Sequence, residues 1–276
     1  MRTAAEGAIQ IIRNEALTFE RFAKVHYDGI KDDLATSADI KSQAHYTALV
    51  EQSFPDHRLI GEEGEEDEPF GGRRFTCDPL DGTKAYERGQ STGVATMLAH
   101  ADGDDIDAIC IGDVNTGEIY QFGPDHVPTR TRFGQTTALQ TAWVKPLTGQ
   151  YVLLNHPADD FPENIQKIIR AKNGGVFKDM EVTSGSIGII AARIWKQEVG
   201  MIVLHPSFNT PWDATPILGM NRQLGIVHIR VDHLTGNAAL FEPAAPLAVE
   251  RKDFTEILVH RTYADEIVLW LNAAIA

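Results

Sequence analysis

The sequence has only two cysteines in 276 residues, Cys77 and Cys110. Two thiols cannot build a disulfide framework. The fold must therefore rest on its hydrophobic core, and the composition fits a reducing compartment. Both thiols read as small buried apolar side chains. Long apolar runs are missing too. The most apolar stretch, Ile187 to Leu204, is broken by Arg193, Lys196, Gln197 and Glu198, which makes it a poor membrane span. Near the N-terminus, Glu6, Arg13 and Glu15 interrupt any secretory apolar segment, so a cytoplasmic location is expected and no membrane partner. Low-complexity linkers and internal repeats are absent. Positive charge is scarce: Lys and Arg total 25 against 39 Asp and Glu, a formal charge of −14. Such a chain lacks the basic face that a nucleic-acid polymer requires. An acid excess can still serve phosphate, where clustered carboxylates hold metal ions.

Apolar residues make up 43% of the chain, enough for one large core or two halves sharing one. Ile9, Ile12, Ala16, Phe19 and Phe22 recur in steps of three and four, which predicts an amphipathic helix from Ala4 to Val25. A second helix is expected from Ile40 to Ser53, with Ala44, Leu49 and Val50 inward. The acidic run Glu62 to Glu68 reads as a solvated loop. Arg74 to Cys77 predicts a short strand stopped by Asp78 and Pro79. Val94 to His100, Ile106 to Val114 and Glu118 to Phe122 predict an antiparallel meander. Gly123 to Gly149 is weakly patterned. Beyond it, strands at Tyr151 to Leu154, Gly200 to Leu204 and Gly225 to Val231 alternate with helices. Those helices are expected at Glu163 to Lys172, at Ser186 to Trp195, after Asp213, and at Ala264 to Ala274. The class is α+β in residues 1–145 and α/β in residues 146–276, the two forming a single unit.

Three stretches carry carboxylates in suggestive settings. Leu59-Ile60-Gly61-Glu62-Glu63-Gly64 pairs two glutamates after a glycine; by itself it also fits an ordinary surface pair. In Cys77-Asp78-Pro79-Leu80-Asp81-Gly82-Thr83-Lys84, a strand delivers Asp78 and Pro79 bends the chain so that Asp81 turns back toward it. Two hard oxygen ligands facing one point suit Mg²⁺. Gly82 lets backbone approach a ligand, and free N–H groups after it could receive an anion. The competing reading is a plain Asp-rich turn. In Pro211-Trp212-Asp213-Ala214-Thr215-Pro216, Asp213 lies at a helix start and could simply cap it. Pro216 is expected in the first helical turn, where proline is tolerated.

Taken together, Gly61-Glu62-Glu63, Asp78-Pro79-Leu80-Asp81-Gly82-Thr83 and Trp212-Asp213 resemble the inositol monophosphatase family of Mg²⁺-dependent, lithium-sensitive phosphatases. Asp33-Leu34-Ala35-Thr36-Ser37-Ala38-Asp39 matches its Asp-x-x-Thr-x-x-Asp segment, and Ser184-Gly185-Ser186 its Gly-Ser or Gly-Thr helix start. The resemblance implies a layered αβαβα sandwich and a homodimer. It implies one Mg²⁺ on Glu62, Asp78 and the Leu80 carbonyl, and a second on Asp78, Asp81 and Asp213. A third, weaker ion would lean on Glu62. Asp39 and Thr83, with Glu62, would serve catalysis by orienting or deprotonating water. The N–H groups of Gly82 and Thr83 would grip the phosphate. Asp81→Asn and Asp213→Asn are each expected to abolish turnover with the fold intact.

The substrate is expected to be a small phosphorylated metabolite: an inositol-phosphate-like, sugar or nucleotide phosphate. Gly82-Thr83-Lys84-Ala85-Tyr86 is similar to the branch that hydrolyses 3′-phosphoadenosine 5′-phosphate, which makes Lys84 a candidate substrate contact. Pro206 stands where inositol-specific members carry an acidic residue. No Glu-Ala-Gly-Gly segment follows Trp212-Asp213. A 3′(2′),5′-bisphosphate nucleotidase and a non-catalytic metal- and phosphate-binding relative are the alternatives. Calcium buffering is disfavoured because no EF-hand loop is present. His156 and His205 are expected to be structural or surface groups.

Overall fold

The computed structural model describes residues 1–24, 33–64, 69–143, 145–169 and 175–274. Helix α1 (Arg2–Glu15) buries Ala4, Ala5, Ala8, Ile9 and Ile12. It ends well before Val25, which lies outside the described residues. Thr18 N–H bonds the Glu15 carbonyl, and Arg21–Lys24 becomes a strand paired antiparallel with Asp33–Thr36. Helical periodicity was misleading there because the partner strand that satisfies these backbone groups lies about ten residues on in sequence, beyond the reach of a local pattern. Phe22 is accordingly 41% exposed, while Phe19 packs on Tyr86 with ring centroids 5.1 Å apart.

Helix α2 (Ser37–Ser53) starts three residues earlier than expected, because Thr36 and Asp39 form a reciprocal capping box. Its inner face is Ala38, Ser42, Tyr46 and Val50. Ala44 is exposed and Leu49 only partly buried, which corrects the expected stripe.

A seven-stranded sheet follows chain order: Arg58–Gly61, Arg74–Asp81, Ala95–Asp102, Asp105–Asp113, Ile119–Phe122, Thr129–Arg132 and Gln135–Ala138. Its first pair is parallel and the rest antiparallel. Pro79 does not stop its strand. Arg74–Asp81 runs through it, with a register shift between Asp78 and Asp81. A proline lacks the ladder donor, so it fits at such an irregularity. The hairpin from Thr129 to Ala138 lies in the weakly patterned region. Residues Gln135–Ala138 are exposed throughout, so no alternation marks them; Arg130 and Arg132 instead pin the hairpin to Glu118.

The short helix α3 (Thr83–Glu87) follows directly on the second strand. A six-stranded sheet forms the other half. Its spatial order is Asp179–Val182, Tyr151–Leu154, Met201–Leu204, Phe254–His260, Ile226–Asp232 and Ala238–Phe241. Helices α4 (Glu163–Ile169), α5 (Ile187–Trp195), α6 (Pro211–Leu224) and α7 (Ala264–Ala273) complete the fold. The end of the expected helix at 170–172, and 65–68 of the acidic run, lie outside the described residues.

Five layers result. Helices α1 and α2 cover one face of the first sheet through Ile9, Tyr46, Phe75 and Leu98. Helices α5 and α6 fill the space between the sheets, where Met97, Ile109 and Ile111 meet Ile194, Met220, Ile202 and Leu258. Helices α4 and α7 cover the far face with Ile165, Ile168, Ile267 and Leu271. This is the expected αβαβα sandwich. It places the N-termini of α5 and α6 beside the bulged end of Arg74–Asp81. No helix among the described residues is long and apolar enough to cross a membrane.

Candidate active site

Three of the predicted ligands converge. Asp78 and Asp81 come from the bulged strand end, and Asp213 from the third position of α6. One carboxylate oxygen of each lies within 4.8 Å of the others. Thr210 caps α6, and its hydroxyl donates to Asp213 Oδ2 at 2.6 Å. Asp213 Oδ1 is buried with no hydrogen-bond partner among the described residues. Asp213 is therefore not the cap itself, and its second oxygen is left for the cluster. Pro216 sits inside α6, beyond the first turn expected for it.

Asp81 is held by the N-terminus of α5. Its Oδ2 accepts from Ser186 Oγ at 2.5 Å and from Gly188 N–H at 2.8 Å, and its Oδ1 accepts from Ile187 N–H at 3.1 Å. Asp78 Oδ1 accepts the Leu80 N–H at 2.8 Å. These bonds fix the carboxylates without neutralising them. Burial, reinforced by neighbouring carboxylates, drives Asp78 well above the usual carboxylate range. Burial and then the Asp213 charge push Asp81 up to about 7. Asp213 is raised as well, chiefly by burial. Buried like charges this close are costly alone. All-oxygen donors with one unpartnered oxygen are a chemically suitable set for a hard divalent cation.

Glu62 stands beside this cluster but is engaged elsewhere. Lys24 Nζ lies 3.0 Å from Glu62 Oε1 and 2.9 Å from Glu63 Oε1. Burial pushes Glu62 up to about 8, with Lys24 opposing and Asp213 and Glu63 adding to the rise. The Leu80 carbonyl accepts the Thr83 hydroxyl at 3.1 Å, and Asp39 Oδ1 faces the same hydroxyl at 3.2 Å. Burial pushes Asp39 up to about 6 against the bonds from Thr36. Asp39 and Thr83 thus form a contacting pair at the end of the bulged strand.

Gly82 has φ +93°, and a Cβ there would meet the Gly93 carbonyl oxygen at 2.2 Å and the Ser186 nitrogen at 2.9 Å. Both contacts are backbone and cannot yield cheaply. Gly82→Ala is expected to lower the melting temperature by at least about 5 °C. The strained backbone alone costs about 1–3 kcal/mol, at roughly 2–4 °C per kcal/mol for a chain of this size. An unchanged thermal melt would show that the loop tolerates a side chain.

Lys84 is exposed and is not part of the cavity that opens from Asp81 and Asp213. That cavity is about 920 Å³, with Pro206, His205, Arg251 and Lys252 in its wall. His205, which lines that cavity, stacks on His156 with ring centroids 4.4 Å apart; both were expected to be structural or surface groups. Arg251, Lys252, His228 and Glu256 were not singled out by the sequence. They lie 15 to 43 residues beyond Asp213, with no motif linking them to it.

Residues 1–125 match the model of the inositol monophosphatase family. A histidinol-phosphatase of Chlorobaculum parvum is 31% identical over 93 residues, which is 33% of this chain and 34% of that protein. The match therefore spans about a third of that curated relative. Among solved structures, an IMPase of Thermotoga maritima superposes with a TM-score of 0.73 at 17% identity, covering 99% of this chain and 96% of that one. An IMPase/NADP phosphatase complexed with Mg²⁺ and phosphate gives 0.73 at 16% identity, covering 97% and 91%. Inositol monophosphatase-II of Staphylococcus aureus gives 0.69 at 15% identity, covering 99% and 91%.

Proposed function

We propose that this chain, of the inositol monophosphatase fold and matching that family over residues 1–125, is a Mg²⁺-dependent phosphatase of small phosphate monoesters. The observation that carries the reading is the convergence of Asp78, Asp81 and Asp213 on one point, with the Asp213 Oδ1 unpartnered. Asp78, Asp81, Asp213 and the Leu80 carbonyl would hold Mg²⁺, with Glu62 joining them on release from Lys24. When bound, Mg²⁺ supplies acidity to water and offsets the charge of the phosphate.

The chain's own groups supply the rest. Thr83 Oγ1 can accept a hydrogen from the attacking water while donating its own to Asp39 Oδ1. A carboxylate raised to about 6 is matched to taking up a proton near neutral pH. Gly82 keeps the backbone low enough for its N–H and that of Thr83 to face the phosphate. The products are the alcohol and inorganic phosphate. Two or three Mg²⁺ ions, lithium sensitivity, a homodimer and a cytosolic location belong to the same reading, through the family resemblance.

The test is phosphate release from inositol 1-phosphate, 3′-phosphoadenosine 5′-phosphate, fructose 1,6-bisphosphate and histidinol phosphate, with and without Mg²⁺. Release that requires Mg²⁺ and falls with Li⁺ supports the reading. Metal and phosphate binding without release from any ester would make the chain a non-catalytic relative. Thr83→Val should lower kcat by about 10²-fold with little change in the Mg²⁺ concentration for half-maximal rate. An unchanged kcat would remove Thr83 from water positioning.

A further inference from the structure

Lys252 lines the same cavity as Asp81 and Asp213, and its charge opposes the rise of the Asp213 pKa. Its side chain is only 18% exposed, with Nζ 2.5 Å from Glu256 Oε2. Its backbone N–H bonds the Ser207 carbonyl at 2.8 Å, which ties it to the segment leading into α6. Behind it runs a buried chain of hydrogen bonds whose direction is forced. Trp195 Nε1 can only donate, so the Asn221 atom 2.7 Å away is its carbonyl oxygen. The Asn221 amide nitrogen then donates to His228 Nε2 at 3.3 Å. His228 must therefore carry its hydrogen on Nδ1, which donates to Glu256 Oε1 at 2.6 Å. Burial would raise the Glu256 pKa, but the Lys252 charge and the hydrogen bonds from His228 and Lys252 outweigh it and hold it below the usual carboxylate range. Glu256 is an ionised, fixed anchor. Asn221 and Asp213 stand eight residues apart on α6, so the helix that carries one carboxylate of the cluster also orients His228, and through it Glu256 on the strand Phe254–His260.

An exposed ion pair would need none of this support. The ammonium has three hydrogens, and among the described residues Glu256 is its hydrogen-bond acceptor, which leaves two for the cavity. Arg251, on the exposed rim, adds a second cation. The neighbouring Glu256 carboxylate would repel a dianion about twice as strongly as a monoanion. Given the phosphatase reading above, on which this rests, we infer that Lys252 is a specificity-determining contact for a carboxylate carried on the leaving group of the phosphate ester.

The test compares 2-phosphoglycerate with glycerol 2-phosphate, which differ by a carboxylate in place of a hydroxymethyl group. With Mg²⁺, the wild-type protein should prefer the carboxylate ester at least tenfold in kcat/KM. Lys252→Met should cut that preference at least tenfold, mainly through KM, and Lys252→Arg should keep most of it. A wild-type ratio near one overturns the inference without recourse to any variant. So does a ratio that survives Lys252→Met, including the case in which both esters slow equally, as a merely structural role would have it. Hydrolysis of neither ester, nor of para-nitrophenyl phosphate, would instead sink the phosphatase reading, and the inference with it.

Discussion

Asp213→Asn should reduce Mg²⁺-dependent phosphate release by about 10³-fold or more, since losing a ligand removes several kcal/mol of charge stabilisation. It should do so without lowering the melting temperature of the metal-free protein. The reason lies in how the carboxylate is held. Asn keeps a carbonyl for the Thr210 hydroxyl, which now bonds Oδ2 at 2.6 Å. Its amide replaces the unpartnered Oδ1 and removes one negative charge from beside Asp78 and Asp81. The same change at Asp81 behaves differently. Both Asp81 oxygens accept, from Ser186, Ile187 and Gly188. An amide NH₂ there would face a donor, leaving buried groups unsatisfied at about 1–3 kcal/mol. Asp81→Asn should therefore lose both activity and stability, which amends the expectation that either variant leaves the fold intact. Thermal melts and phosphate assays on the two variants distinguish the cases. A metal-free Asp213→Asn protein that melts well below wild type would contradict this account of the cluster.

Removing the metal should have an effect that grows with pH. Asp81 titrates near 4 when unfolded and at about 7 when folded. Between those values the folded chain keeps a proton that the unfolded chain has released, so stability falls as pH rises. The contribution is whole below about 4 and lost above about 7; Glu62, raised to about 8, extends the window upward. Mg²⁺ competes with protons for these oxygens and binds more tightly as they ionise. At a hundredfold excess over Kd, it would stabilise by about 2.7 kcal/mol, or roughly 5–11 °C. The difference in melting temperature between Mg²⁺ and a chelator should be small at pH 5 and largest near pH 8. A difference that stays flat across this range would mean that these carboxylates are not the metal's ligands.

The site was legible wherever its geometry is local. Asp78 to Thr83 is one short segment, the bulged end of a strand leading into α3, so its two carboxylates, its glycine and its hydroxyl can be read from spacing. A helix after Trp212 and Asp213 was legible as well, although it begins at Pro211; the Thr36–Asp39 capping box, which starts α2 at Ser37, was not read from the sequence. The strand hidden in the expected first helix was illegible because its partner, Asp33–Thr36, lies outside the 4–25 window whose helical spacing was read. The hairpin at 129–138 was missed because an exposed strand shows no alternation.

The sequence by itself determined the chemistry: which carboxylates are available, that they sit on tight turns and helix starts, and that the acid excess suits cations rather than a nucleic-acid polymer. Only the tertiary structure decided which of them meet. It brought Asp213 to Asp78 across more than a hundred residues, bound Asp81 to the start of α5, and gave Glu62 to Lys24. It also placed Lys252, through Glu256 and His228, in the wall of the same cavity. Residue type and short spacing set what a group can do. Distances between groups far apart in the chain are set by how two sheets and the helices between them pack, and no local pattern records that.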